Sequence, residues 1–113
     1  MTFGATARLV SNVTVIDISG SVSLIEARAL SDMLEELVEN GQKKIILNLR
    51  DVNYLDSSGI GQIVCGYATV KKHGGQLKIL HLSKKVQELL SVTSLYRIFE
   101  EYSDEELAVR SFQ

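Results

Sequence analysis

Residues 45–64, IILNLRDVNYLDSSGIGQIV, decide the fold of this chain, because they join an apolar strand to an apolar helix through a turn of small polar residues. The strand half, KKIILNL at residues 43–49, is too short for a helix and is apolar on both faces in its middle. A central strand covered on both sides reads this way, so the segment belongs mid-sheet. The helix half sets Ile60, Ile63, Val64, Tyr67 and Val70 on one stripe and ends near His73-Gly74-Gly75. Between them, LDSSG has the chemistry of a helix start. Asp56 or a serine can take up the orphan N–H groups, and Gly59 permits close packing.

Upstream, ARLVSNVTVIDIS (residues 7–19) holds two β-rich segments around Ser11-Asn12, a two-residue hairpin turn. From Ser23 to Asn40, Ala27, Leu30, Leu34, Leu37 and Val38 recur at helical spacing, with Glu26, Asp32, Glu35 and Glu36 on the other side and a stop at Asn40-Gly41. Downstream, QLKILHL alternates as a strand, and Ser83 caps a short helix with Val86, Leu89 and Leu90. A link through Thr93-Ser94 leads to RIFEEY as a last strand. Ser103 with Glu106 reads as a capping box for a C-terminal helix carrying Leu107, Val109 and Phe112. The order ββαβαβαβα predicts one α/β domain over residues 1–113, a mixed sheet of about four to five strands packed with about four helices.

The chain has 113 residues, 45% hydrophobic and 23% charged, which suits one modest core. Its 12 basic and 14 acidic residues give a net charge of -2 with no basic stripe, which argues against nucleic acid or an anionic membrane as the main partner. Cys65 is the one cysteine, so no internal disulfide forms, and the N-terminus MTFGATARLV lacks the layout of a secretory signal. No apolar run approaches the roughly 20 residues a bilayer span requires. The expected location is the cytoplasm.

Enzyme readings find little support. Asp56, Ser57 and His73 or His81 could be drawn as a nucleophile triad, but no G-x-S-x-G elbow is present and the histidines fall at a helix end and in a strand. Cys65, inside a helix without a neighbouring cation, reads as a small unreactive core residue. Two separated histidines and one cysteine make a poor zinc set, and the lone Gly59-Ile60-Gly61 is a weak fragment of a dinucleotide fingerprint. No P-loop, cofactor or metal motif is present.

LDSSG is nevertheless richer than a cap requires. Two adjacent hydroxyls at the carboxyl end of a central strand stand where open α/β sheets place function. A serine there suits phosphorylation, because the helix's positive end and free N–H groups would accept the added charge. A phosphate adds about -1.5 to -2 at pH 7, which roughly doubles the chain's net charge of -2 at one turn. Ile60, flanked by Gly59 and Gly61, offers a branched side chain beside bare backbone that a partner could approach.

With these residues in view, the chain resembles the STAS domains of anti-sigma factor antagonists. The resemblance runs over nearly its whole length, through IILNLRDVNYLDSSGIGQIV, KKHGGQLKIL and VQELLSVTSLYRIF. It implies a non-catalytic domain that binds an anti-sigma factor serine/threonine kinase and releases the sigma factor until that kinase phosphorylates it. The kinase supplies ATP and magnesium, and a metal-dependent serine phosphatase resets the switch. The serine after the Asp is the implied phosphorylation site, here Ser57, with Ser58 as the neighbouring position. Asp56, Ser57, Ser58, Gly59, Ile60 and Gly61 then form the implied partner-binding stretch, together with Ser21 and Ser23. The last two mark a departure: where the family often has Gly-Glu-Leu-Asp, this chain has Gly20-Ser21-Val22-Ser23. That loss motivates an alternative reading, a non-catalytic STAS subunit of a lipid or anion transport assembly.

Overall fold

A computed structural model describes residues 2–93 and 98–112. The elements follow the expected order: β1 (Gly4–Val10), β2 (Val13–Val22), α1 (Leu24–Glu39), β3 (Lys44–Leu55), α2 (Ser57–Lys72), β4 (Gln76–Leu80), α3 (Lys84–Thr93), β5 (Glu100–Tyr102) and α4 (Glu105–Arg110). Ser11 and Asn12 both take positive φ, 48° and 69°, as a two-residue hairpin turn of the twist-compatible type requires. The turn therefore pairs β1 antiparallel with β2, while β2, β3, β4 and β5 run parallel, giving a mixed sheet in the order β1-β2-β3-β4-β5. KKIILNL is the start of its middle strand.

Both faces of the sheet are covered. On the front, Ala27, Leu30 and Leu34 of α1, Ile60, Ile63 and Val70 of α2, and Val86 and Leu90 of α3 pack over Ile16, Ile18, Ile45, Leu47 and Ile79. Gly66 lets α1 and α2 close on each other, since a Cβ there would stand 2.7 Å from Leu34 Cδ1. On the back, Ala108 and Val109 of α4 close a smaller cluster with Val13, Val15, Ile46 and Leu80.

The back face explains where the sequence reading misses. QLKILHL does not alternate between core and solvent. Leu77, Lys78, Ile79 and Leu80 are all buried, because α4 covers the side that alternation leaves open. Lys78, only 6% exposed, pairs with Glu100 at 3.1 Å, donates to Ser111 Oγ at 2.7 Å and stands 4.3 Å from the centre of the Phe112 ring. A buried ammonium needs such partners. Asp104, not Ser103, caps α4, accepting the Leu107 N–H at 3.1 Å, and Leu107 faces solvent. RIFEEY is a strand only at Glu100–Tyr102; Ser94 and Arg97 lie outside the described residues. Phe99 sits before the strand and meets Tyr67 edge-on, ring centres 5.3 Å apart.

Arg8 ties β1 to both β2 and α4. Its guanidinium donates to Asp17 Oδ2 at 2.6 Å and to Glu105 Oε2 at 3.0 Å, with further bonds to the second oxygen of each. These bonds hold both carboxyls below the usual carboxylate range and raise the guanidinium above its own.

Candidate functional site

Strands β2, β3 and β4 are parallel, so the helices that follow them begin at one edge of the sheet. The LDSSG turn stands in the middle of that edge. Asp56 adopts extended backbone and accepts the Gly59 N–H on Oδ1 at 2.8 Å, while its carbonyl accepts the Ile60 N–H at 2.9 Å. Tyr54 Oη donates to the other carboxylate oxygen at 3.4 Å. The cap is the aspartate, which leaves the serines unused by the fold. Ser57 and Ser58 open α2, both exposed, and neither hydroxyl has a hydrogen-bond partner among the described residues. Their own N–H groups belong to the unsatisfied first turn of the helix.

The two glycines differ. A Cβ on Gly59 would lie 2.6 Å from the Val22 carbonyl oxygen, so this glycine lets α2 start hard against the end of β2. A Cβ on Gly61 would meet nothing within 4 Å. Ile60, between them, is 1% exposed and part of the front core. The expectation that a partner touches its side chain is therefore corrected, because the residue three positions after the serine turns inward on the helix. Gly59 is buried as well.

Ser21 and Ser23 stand beside the turn. The register sets Ser21 opposite Tyr54, and its hydroxyl lies 3.4 Å from Asn53 Oδ1. Ser23 forms a capping pair with Glu26. Its N–H donates to Glu26 Oε1 at 3.1 Å and its hydroxyl to the same oxygen at 2.5 Å, which lowers the Glu26 carboxyl's pKa. Cys65 is exposed on α2, so its reading as a core residue is corrected too. The histidines lie away from Ser57. His73 caps the far end of α2, about 24 Å along the helix, and His81 follows β4, its backbone N–H donating to the Tyr102 carbonyl of β5 at 2.9 Å.

The model of the STAS domain matches residues 5–108. The chain belongs to the STAS domain family. Among its STAS relatives, the anti-sigma-B factor antagonist of Bacillus subtilis is 36% identical over 85 residues, 75% of this chain and 77% of that one. The anti-sigma F factor antagonist of Paenibacillus polymyxa is 26% identical over 94 residues, covering 82% and 80%. A crystal structure from Thermotoga maritima, assigned as an anti-sigma factor antagonist, superposes with a TM-score of 0.85 at 26% identity over 95% of this chain and 92% of the other.

Two features of this STAS surface escaped the sequence reading. Leu24, Ile25 and Tyr54 are exposed apolar residues at the LDSSG edge, Ile25 at 76% and Tyr54 at 47%. Ile25 could have been found: it lies on the polar side of α1, opposite the Ala27, Leu30, Leu34 stripe. Beside Ser57 there is also a cleft of about 460 Å³ between the end of β3 and α3. Its walls come from residues 52–57 and 83–89, so no local pattern announces it. Among the described residues, no helix is long and apolar enough to cross a membrane.

Proposed function

We propose that this chain is an anti-sigma factor antagonist acting as a phosphorylation-controlled partner switch in the cytoplasm. The unphosphorylated form binds an anti-sigma serine kinase and frees the sigma factor. Phosphate on Ser57 blocks that binding, and a serine phosphatase restores it. The observation that carries the reading is an exposed, unbonded Ser57 hydroxyl at the first position of a helix capped by its neighbour, with exposed Leu24, Ile25 and Tyr54 at the same edge. The relatives' shared role supports the class of partner.

The physical sequence is short. The helix N-terminus tolerates the new charge, so the fold is spared. A partner that buries the apolar side chains around Ser57 must instead desolvate a phosphate. A penalty of about 3 kcal/mol lowers affinity about a hundredfold. Ser23 has a local duty as the α1 cap, so its serine identity is accounted for without a transport assembly.

The test is binding of purified anti-sigma kinases from the source organism to the native chain, Ser57→Ala and Ser57→Asp, with intact mass after incubation with ATP. Native protein gains one phosphate on Ser57 and loses affinity. Ser57→Ala gains none and keeps binding, and Ser57→Asp binds about tenfold or more weakly. A phosphate that maps elsewhere, or equal binding by all three, defeats the reading.

A further inference from the structure

The cleft beside Ser57 carries a consequence for how the partner is held. Its floor is apolar, made by the buried Val52, Leu55 and Val86 with the partly buried Leu89, and the exposed Tyr54 and Ser57 stand at its mouth. The volume of about 460 Å³ falls within the range of sites that hold a bulky organic group. A second, smaller gap lined wholly by apolar side chains adjoins it, and Leu55 and Val86 line both. Helix α3 thus borders both spaces and is seated on the core through Val86 and Leu90.

From this geometry we infer that the cleft is the seat for a large apolar side chain of the anti-sigma kinase, and that the phosphate acts by standing at its mouth. The inference rests on the partner-switch reading above. A protein occupant is favoured over a small molecule because apolar exposure continues outside the cleft. Tyr54 belongs to its wall and is itself exposed, and Leu24 and Ile25 are exposed at the start of α1, just after the end of β2 that pairs with Tyr54 and Leu55. A small molecule filling the cleft would leave those residues bare. The rim supports the same assignment, since Asp56, Lys85 and Glu88 offer charges of both signs, two acidic and one basic, to a polar peptide surround. Hot spots of this type are central apolar pockets ringed by polar groups. Charge placed at the mouth opposes an apolar occupant directly, which makes Ser57 an effective position for the switch.

The test fills the cleft without charging it. Leu89→Trp takes up the space, Leu89→Ala enlarges it, and Leu107→Asp, on exposed α4, serves as a surface control. Thermal melts establish that each variant is folded, and calorimetry measures binding to the anti-sigma kinase that binds the native chain. Tyr54→Ala, at an exposed wall position, is the second probe should Leu89→Trp fail to fold. The expected result is a tenfold or greater loss for Leu89→Trp, a smaller loss for Leu89→Ala and Tyr54→Ala, and none for Leu107→Asp. Native-like binding by folded Leu89→Trp or by Tyr54→Ala, while Ser57→Asp still binds about tenfold or more weakly, overturns the cleft assignment and leaves the switch standing. A small molecule retained in the cleft by native mass spectrometry, with kinase affinity insensitive to these variants, overturns it as well. If no anti-sigma kinase binds the native chain, both the switch and its seat are rejected.

Discussion

Alanine at Gly59 and at Gly61 should move stability in opposite directions, although both positions lie in the first turns of α2. In an unobstructed helix interior, glycine to alanine is worth about 1 kcal/mol. At Gly61 nothing stands within 4 Å of the new methyl group, so that gain is realised. At Gly59 the methyl would come 2.6 Å from the Val22 carbonyl oxygen and 3.0 Å from Leu55 Cδ1. Leu55 can adjust its side chain, but Val22 belongs to the backbone of β2. Overpacking costs about 1–3 kcal/mol, and because the 2.6 Å contact is to rigid β2 backbone the cost falls toward the upper end, exceeding the propensity gain. For a domain near this size, 1 kcal/mol shifts the midpoint by about 4 °C. Thermal melts followed by circular dichroism should therefore place Gly61→Ala about 2–4 °C above the native protein and Gly59→Ala several degrees below it. A destabilised Gly61→Ala, or a Gly59→Ala as stable as the native chain, would refute the geometry described for this turn. Kinase affinity adds a second reading: a more stable Gly61→Ala that binds less well would mean that the partner lies against bare backbone there.

Three further outcomes are expected from the turn and from the Arg8 cluster. Asp56→Ala removes the acceptor for the Gly59 N–H, and urea denaturation should register a loss of about 1 kcal/mol. Ser57→Asp should leave the thermal midpoint within about 2 °C of native, since the hydroxyl holds nothing and the helix start favours negative charge; a large drop would contradict the separation of cap from switch. Asp17 and Glu105 have lowered folded-state pKa values, chiefly through hydrogen bonds from Arg8, so the unfolded chain binds more protons than the folded one in acid. Their contribution is complete above the unfolded carboxylate range and drains as pH falls through the depressed values. Both pairs are more than a third exposed, which limits the contribution to about 1 kcal/mol or less. Arg8→Ala should accordingly flatten the fall in stability below about pH 4, and urea midpoints that run parallel to native from pH 7 to pH 3 would exclude this role.

The parts of the fold legible in the sequence are those whose causes are local. The Ser11-Asn12 turn, the stripe of α1 and the LDSSG helix start each depend on neighbours within a few residues, and each stands as read. Residues judged by which face meets the core were harder. Lys78 looked like the solvent side of an alternating strand until α4, some 30 positions later, covered it. Cys65, absent from the α2 stripe that correctly includes Ile60, reads as buried from its residue type alone, but it faces solvent. At the site, turn chemistry announces a capped helix start but leaves the cap between Asp56 and a serine, and only the packed structure shows that the aspartate takes it and that both serines face solvent. The cleft is not announced at all, because it exists only once β3 and α3 are brought side by side.

The division of labour at the turn has a bearing on evolutionary history. Asp56 and Gly59 carry the structural duty, and Ser57 carries none that the fold would miss. A lineage can therefore gain, lose or retune regulation at this one codon without passing through an unstable intermediate. Descendants of such a protein are free to keep the scaffold and abandon the signal.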